Sequence, residues 1–249
     1  MQSEFPFLFL KESKDWLYLH ARRWLHIPHE SDFKALSLIP PALKGCYIDV
    51  GANYGQTIES ILLFRPEAEI VAFEPNLGLA AHLLARYKDR NNIRIVAKGL
   101  ADSAGHLTLF VPSYKGFVYD ALSSFNKGSA GYGLNKETIL RFDSAKLTLA
   151  ECDCTVETLD MQRLAPVFIK VDVEGYTYNV LRGGKETLLQ FEPLLLVENF
   201  RGDTRTVQLA EELAYEEYYF DGSSLRKETR NTGPNSLLMT RAMAKRFLG

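Results

Sequence analysis

The sequence has little cysteine, little net charge and no long apolar run. Its three cysteines, Cys46, Cys152 and Cys154, are too few and too unevenly spaced for a secreted disulfide framework. A net charge of −2 gives no indication of a nucleic-acid partner. No stretch approaches the roughly 20 apolar residues of a membrane span, and the chain does not start with the basic region of a signal peptide. We therefore expect a cytoplasmic protein without a transmembrane segment.

The length of 249 residues fits one large domain with a small appendage. Residues 11–26 carry tryptophan and leucine at helical spacing among lysines and arginines, which predicts a helix. We divide the chain into an N-terminal helical appendage, 1–42, and a main domain, 43–249. The apolar side of the helix needs a partner, so we expect it to pack on the main domain, with weak peripheral membrane contact as the alternative.

From Cys46 onward, short apolar runs alternate with helical patterns. Strands are predicted at 47–50, 70–73, 93–97, 106–111, 146–155, 167–171, 194–197, 215–220 and 237–240, and helices at 56–64, 77–88, 178–190 and 204–214. This order is typical of a parallel sheet with helices on both faces. We predict an α/β, Rossmann-like fold with a mostly parallel seven-stranded sheet. The Gly-rich stretch at 112–136 is long and irregular, which indicates a functional loop, and we expect a substrate lid there.

One turn between a predicted strand and a predicted helix has the sequence Asp49-Val50-Gly51-Ala52-Asn53-Tyr54-Gly55. Its two glycines allow a sharp turn and a close approach of the backbone to a ligand. Ligands of parallel sheets bind beyond the carboxyl ends of the strands. Glu74 ends the next strand, where a carboxylate can accept hydrogen bonds from both hydroxyls of a ribose. The remaining expected cofactor-binding residues are Pro75, Asn76, Leu100, Ala101 and Asp102, with Asp102 at the adenine amino group.

The cofactor that suits this turn carries positive charge. A dinucleotide site has Gly-x-Gly-x-x-Gly and presents backbone amides to a pyrophosphate, whereas the spacing here is Gly-x-x-x-Gly with an acid ahead of it. Asp49 would repel a pyrophosphate and would favour the sulfonium and ammonium groups of S-adenosylmethionine (SAM). We therefore expect SAM, with an NAD(P)-dependent oxidoreductase as the alternative.

A second acidic site follows the predicted strand at 167–171. Asp172 and Glu174 are two residues apart and share a face in extended backbone. Glu198 ends the next strand and should lie beside them. Mutual repulsion in such a cluster raises the pKa of a carboxyl, which makes it a usable general base. We assign catalytic roles to these three acids, assign Asp172 also to the cofactor, and expect Lys170 to pair with an acid.

Together these motifs resemble the FkbM family of SAM-dependent methyltransferases. The resemblance covers roughly residues 45–200, and its more specific parts are Val156-Glu157-Thr158-Leu159-Asp160 and Ile169-Lys170-Val171-Asp172-Val173-Glu174-Gly175. It implies a class I methyltransferase sheet, SAM as cofactor and O-methylation of a hydroxyl on a sugar, glycan or small metabolite. The family usually has a further acid two residues after the glycine, where this chain has Thr177.

Two further expectations concern metals and catalysis. No histidine accompanies the acids, so zinc is not expected, and although carboxylates suit Mg²⁺ we assign no metal ligands. The five histidines are interpreted as surface or packing residues. A protein that binds SAM without catalysis is the remaining alternative.

Overall fold

The structure is a computed structural model, and it describes residues 25, 27–222, 224–227 and 235–248. The helix predicted at 11–26 lies outside the described residues except for Leu25. A 3-10 helix, Ser31–Leu38, precedes the main sheet, and its Phe33, Ala35 and Leu36 are buried in the same core as the sheet. Within the described part of the chain, no helix has the length and apolarity needed to cross a membrane.

In the described part of the chain, twelve strands form two sheets. The strands are β1 Cys46–Val50, β2 Ile70–Phe73, β3 Ile93–Val96, β4 Gly99–Leu100, β5 Gly105–Tyr114, β6 Phe117–Val118, β7 Leu147–Glu157, β8 Pro166–Val171, β9 Leu194–Glu198, β10 Tyr215–Phe220, β11 Leu225–Lys227 and β12 Asn235–Thr240. The main sheet has the order β11-β10-β12-β9-β8-β1-β2-β3. Strands β3, β2, β1, β8 and β9 are parallel, and the other three pair antiparallel at one end.

The predicted α/β sheet is therefore confirmed, but the predicted count of seven strands is wrong. The eighth strand, β11, pairs only with β10 at the edge of the sheet. Leu225 is buried in β11 while Arg226 and Lys227 are exposed. A segment with a single buried side chain shows no alternation, so its sequence pattern gives no signal for a strand.

The main sheet carries helices on both faces, as predicted. The helices are α1 Gln56–Phe64, α2 Leu77–Arg86, α3 Thr177–Arg182, α4 Lys185–Phe191, α5 Thr204–Glu212 and α6 Arg241–Leu248. Side chains of α1, α2 and α6 belong to one core cluster, and those of α3, α4 and α5 to the other. On α2 the buried stripe follows Leu79 and Leu83 at a spacing of four, whereas Leu84 is 50% exposed.

The single helix predicted at 178–190 is wrong, because two helices, α3 and α4, occupy this stretch. They are separated by Gly183 and Gly184. A Cβ atom on Gly183 would lie 2.0 Å from the carbonyl oxygen of Ala101, and one on Gly184 would lie 2.7 Å from Leu159. The glycines therefore allow the backbone to pack closely against the segment that follows β4.

The second sheet, β4-β7-β5-β6, contains the strands predicted at 106–111 and 146–155 as a long antiparallel pair. Part of the stretch 112–136 is more regular than expected, because β5 continues to Tyr114, β6 follows, and Asp120–Leu122 forms a 3-10 helix. The Ser124 hydroxyl donates a hydrogen bond to the carbonyl oxygen of Glu174. This contact holds the stretch over the carboxyl end of β8.

Candidate functional site

A cavity of about 280 Å³ lies at the carboxyl ends of β1, β2, β8 and β9. We call it the first cavity. Six of its lining side chains are carboxylates: Glu30, Glu74, Asp120, Asp172, Glu174 and Glu198. The described residues that line it include no lysine or arginine, and their one histidine is His29. The potential in this cavity is therefore negative.

The turn after β1 forms one wall of the first cavity. Gly51 has a φ of 89°, and a Cβ atom there would lie 2.0 Å from the carbonyl oxygen of Asp172. The main-chain N–H groups of Gly51 and Ala52 both donate to the carbonyl oxygen of Phe73. Asn53 has a left-handed φ of 49°, and its buried Oδ1 has no hydrogen-bond partner within the described structure. This turn, with left-handed backbone at Gly51 and Asn53, places Gly51, Ala52 and Asn53 in the wall of the cavity.

Glu74 is held by two backbone donors. The N–H of Asn53 donates to its Oε2 at 2.8 Å, and the N–H of Asn76 donates to its Oε1 at 2.9 Å. Burial raises the pKa of Glu74 to about 7, against the lowering effect of these two bonds. Each carboxylate oxygen keeps a lone pair, so Glu74 can accept two further hydrogen bonds from a guest in the cavity.

Asp49 lies in β1 behind the cavity wall and is completely buried. Neither of its carboxyl oxygens has a partner at ordinary hydrogen-bond geometry in the described part of the chain. Burial raises the pKa of Asp49 to about 8, and the charge of Asp172 adds to the effect. The residue does not line the first cavity, so it acts on a guest only through its field.

A buried cation and two acids meet at the ends of β8 and β9. Lys170 Nζ lies 3.5 Å from Asp172 Oδ2, which confirms the predicted pairing of Lys170 with an acid. This cation holds the pKa of Asp172 below its usual value in spite of burial. Glu198 shares a hydrogen bond with Asp172, and that bond, burial and the charge of Asp172 raise the pKa of Glu198 to about 9. Near neutral pH, Asp172 is ionised and Glu198 is protonated. The proton of Glu198 then forms the hydrogen bond to Asp172.

Lys170 also connects the site to the segment before β1. Its Nζ donates to Asn235 Oδ1 at 2.8 Å, and Asn235 Nδ2 donates to Glu30 Oε2 at 2.8 Å. Lys170 itself is 1% exposed. A chain of hydrogen bonds through the sheet thus fixes Glu30 at the mouth of the first cavity.

Several expected cofactor residues do not reach the first cavity. Leu100 and Ala101 are buried in the core, and Asp102 accepts a hydrogen bond from Arg182 at 3.4 Å. The Asn76 side chain accepts from Gly78 and Leu79 as the N-cap of α2. Gly55 has a φ of 88° at the start of α1, where a Cβ would meet the Tyr87 hydroxyl at 2.8 Å. Pro75 does line the cavity.

Sequence reasoning missed other lining residues. Asp120 reaches the cavity from the 3-10 helix after β6, and its carboxylate accepts a hydrogen bond from the Tyr54 hydroxyl at 2.5 Å. His29 is exposed as expected, but it also lines the cavity. Phe125 packs edge-on against Tyr176 with ring centroids 5.3 Å apart at the same wall. None of these residues follows a strand of the main sheet, so no motif pointed to them.

A second cavity, of about 820 Å³, adjoins the first at Val173, Glu174 and Glu198. It lies between the start of α3, the segment after β9 and the stretch that holds Tyr132. Thr177, which stands where a further acid was expected, contributes to its wall. Glu174 is thus accessible from both cavities.

Within the described residues, no group of three or more His, Cys, Asp and Glu side chains is arranged to hold a metal ion. Cys152 is exposed on β7, whereas Cys154 is buried and donates to the carbonyl oxygen of Pro75 at 3.2 Å. The two thiols therefore have different surroundings.

Comparison with known proteins identifies the family to which this chain belongs. The model of the methyltransferase FkbM domain matches residues 49–220. The 2-O-methyltransferase NoeI of Sinorhizobium fredii is 25% identical over 147 residues, which are 57% of this chain and 58% of that protein. The crystal structure of methyltransferase FkbM from Methylobacillus flagellatus has a TM-score of 0.50 and 16% identity, over 83% of this chain and 47% of that chain. The chain thus spans about half of the length of these relatives. Because the family model covers most of the chain, this protein belongs to the FkbM methyltransferase family.

Proposed function

We propose that this protein is a SAM-dependent methyltransferase that methylates a hydroxyl group of a sugar, glycan or small metabolite. The observation that carries the proposal is the first cavity, which six carboxylates line without lysine or arginine among its described residues. A cationic guest relieves the repulsion among these acids, whereas an anionic guest increases it.

The residues present fit SAM. Glu74, with one free lone pair on each oxygen, would accept hydrogen bonds from the two ribose hydroxyls. The unpartnered Oδ1 of Asn53 would accept a further donor, and a cationic guest would favour the ionised form of Asp49, whose pKa burial raises to about 8. Asp172 would add its charge from β8. When bound, SAM supplies an activated methyl group on a sulfonium.

We assign the proton acceptor to Glu174. Its pKa is raised by burial and by the charge of Asp172, so it is a stronger base than an ordinary carboxylate, and it is accessible from both cavities. Asp172, held ionised by Lys170, is a weaker base, and Glu198 is already protonated near neutral pH. We therefore give Asp172 and Glu198 the task of fixing the charge and the orientation of the site.

The choice of a hydroxyl acceptor rests on the acids and on one relative. A carboxylate base suits an alcohol, whose proton must leave as the oxygen attacks. The Sinorhizobium relative is named as a 2-O-methyltransferase. We also propose the division into residues 1–42 and 43–249, and a lid at 112–136. Asp120–Leu122 lines the first cavity and Tyr132 lines the second, which supports the lid.

Titration calorimetry with SAM, S-adenosylhomocysteine and NADPH tests the cofactor. We expect SAM to bind and NADPH not to bind, because a diphosphate would face the six carboxylates. Binding of NADPH without SAM would support the oxidoreductase instead. Release of S-adenosylhomocysteine with pooled glycan and metabolite acceptors tests catalysis, and SAM binding with no release in any pool would favour a non-catalytic binding protein.

A further inference from the structure

The second cavity begins where the proposed proton acceptor stands. Its wall includes Glu174 and Glu198, and from there it extends away from the first cavity. A guest in it would place a hydroxyl beside Glu174 without entering the space between Asn53 and Glu74. The size of the cavity, about 820 Å³, is within the range of small-molecule sites.

The charges on its wall are paired with each other. Arg201 is the one basic side chain among its described lining residues, and it forms an ion pair with Glu217. The carboxylate of Asp203 is held by Arg205 at 2.7 Å. An anionic guest would therefore find no free cation here and would meet Glu174. The cavity therefore favours an uncharged guest over an anionic one.

One polar group in the wall lacks a partner. Thr206, in the first turn of α5, is 1% exposed, and its Oγ1 has no hydrogen-bond partner within the described structure. A buried hydroxyl without a partner lowers the stability of the folded protein. Because Thr206 lines the cavity, a hydroxyl of a guest would supply the partner that the protein does not.

An aromatic side chain stands at the rim. Tyr132 is 82% exposed, although it lines the cavity, and it follows Gly131, whose φ is 73°. An exposed aromatic ring beside a polar cavity can pack against the C–H face of a saccharide, because such a ring has an apolar body and a polar hydroxyl.

We propose that the second cavity binds the methyl acceptor and that this acceptor is an uncharged pyranoside, with Tyr132 against the ring and Thr206 hydrogen-bonded to one of its hydroxyls. The inference rests on the proposed function, since it takes Glu174 as the proton acceptor. It goes further in naming the site, the charge class of the acceptor and two residues that select it.

Saturation-transfer NMR tests the proposal on the full-length protein with S-adenosylhomocysteine present. The probes are the methyl pyranosides of glucose, galactose and mannose, with methyl glucuronide as the anionic counterpart. We expect at least one neutral pyranoside to bind, and the glucuronide to bind at least about tenfold more weakly. Thr206→Val and Tyr132→Ala should each weaken pyranoside binding about fivefold or more, and Tyr132→Phe should retain most of it, because these changes remove about one hydrogen bond or one ring contact.

Two control variants separate binding from folding. Thr187 is also buried, but its hydroxyl donates to Asp160 at 2.7 Å, so Thr187→Val should lower the melting temperature and leave pyranoside affinity unchanged. Thr206→Val should keep or raise the melting temperature, because it removes an unpartnered hydroxyl. Leu140→Ala, at a residue that is 89% exposed and away from the cavity, is the control for Tyr132→Ala.

Failure of the inference differs from failure of the proposed function. The inference is overturned if S-adenosylhomocysteine binds but no neutral pyranoside does. It is also overturned if the glucuronide binds as well as the neutral sugars, or if Thr206→Val and Thr187→Val affect the sugar equally. Failure to bind SAM or S-adenosylhomocysteine would instead contradict the proposed function.

Discussion

Carboxylates at the parallel centre of the main sheet differ from those at its antiparallel edge. On β10, Glu216 lies 2.9 Å from Lys227 and 2.8 Å from Arg241, and these two cations lower its pKa. At the centre, Asp49 and Glu74 have no such partners, and burial raises the pKa of each. The edge acids stabilise the fold by pairing, whereas the central acids destabilise it until a guest compensates them.

This difference indicates that the acids at the centre of the sheet lower the stability of the ligand-free protein and are present for binding. An unpartnered buried carboxyl costs free energy in the ligand-free protein, so its presence needs a reason other than folding. Four strands, β1, β2, β8 and β9, bring acids to one end of the sheet, and among the described acids there the carboxyl oxygens of Asp49 lack a hydrogen-bond partner. The predictions below test this contrast.

The largest effect is expected from Glu174→Gln. The amide keeps the shape of the side chain but cannot accept a proton, so methyl transfer should fall by about 10²–10⁴-fold. Release of S-adenosylhomocysteine with a responsive acceptor at saturating SAM measures it, and Glu151→Gln, at an exposed residue of β7, is the control. If Asp172→Asn abolished turnover while Glu174→Gln did not, the proton acceptor would be Asp172.

The next effect concerns SAM affinity. In Glu74→Gln, an NH₂ group would face one of the two backbone donors that hold the carboxylate, and the charge would be lost. Hydrogen bonds to charged groups contribute about 1.5–3 kcal/mol, so we expect a loss of about 10–100-fold in affinity by calorimetry. Glu67→Gln, at an exposed turn, is the matched control. Equal SAM affinity in the two variants would rule out the assigned role of Glu74.

The central acids also predict how stability depends on pH. The pKa values of Asp49, Glu74 and Glu198 are raised to about 8, 7 and 9, so between about pH 4 and 9 the folded state binds more protons than the unfolded state. The stability of the ligand-free protein should therefore fall as the pH rises through this range.

Asp49→Asn isolates the contribution of one of these acids. The melting temperature of the variant relative to wild type should increase between pH 5.5 and 8.5 by at least about 3 °C, equivalent to roughly 1 kcal/mol for a chain of this size. Exposed Asp89→Asn should show no such trend. A constant difference between Asp49→Asn and wild type across the series would mean that Asp49 does not titrate in this range.

The smallest effect is expected at the edge. Glu216→Gln removes a partly exposed ion-pair partner, so the free energy of unfolding should fall by about 1 kcal/mol or less, and the difference should shrink in 1 M NaCl. SAM affinity should not change. If the free energy of unfolding fell as much as it does when a core side chain is truncated, the contrast between the edge and the centre of the sheet would be contradicted.

Much of the centre of the fold could be predicted from the sequence. The strand at 70–73 and the helix at 56–64 match the structure at both ends, because each has a clear periodicity bounded by glycine, proline or a polar turn. The division of 178–190 into two helices could not be predicted, since the break falls where Gly183 packs closely against the backbone of Ala101, which is distant in the sequence. The edge strand β11 was missed because a single buried side chain makes no pattern.

The sequence by itself determined which acids gather at one end of the sheet. Right-handed crossovers between parallel strands bring the residues after β1, β2, β8 and β9 to the same edge, whatever fills the space above it. Only the tertiary structure decided what each acid does there. Glu74 lines the first cavity, Asp49 is buried behind the wall of that cavity, and Asp102 accepts a hydrogen bond from Arg182. It also brought in Asp120, His29 and Thr206 from loops and helix starts. Their positions depend on long-range contacts, such as those of Lys170 with Asn235 and of Ser124 with Glu174, which no local pattern encodes.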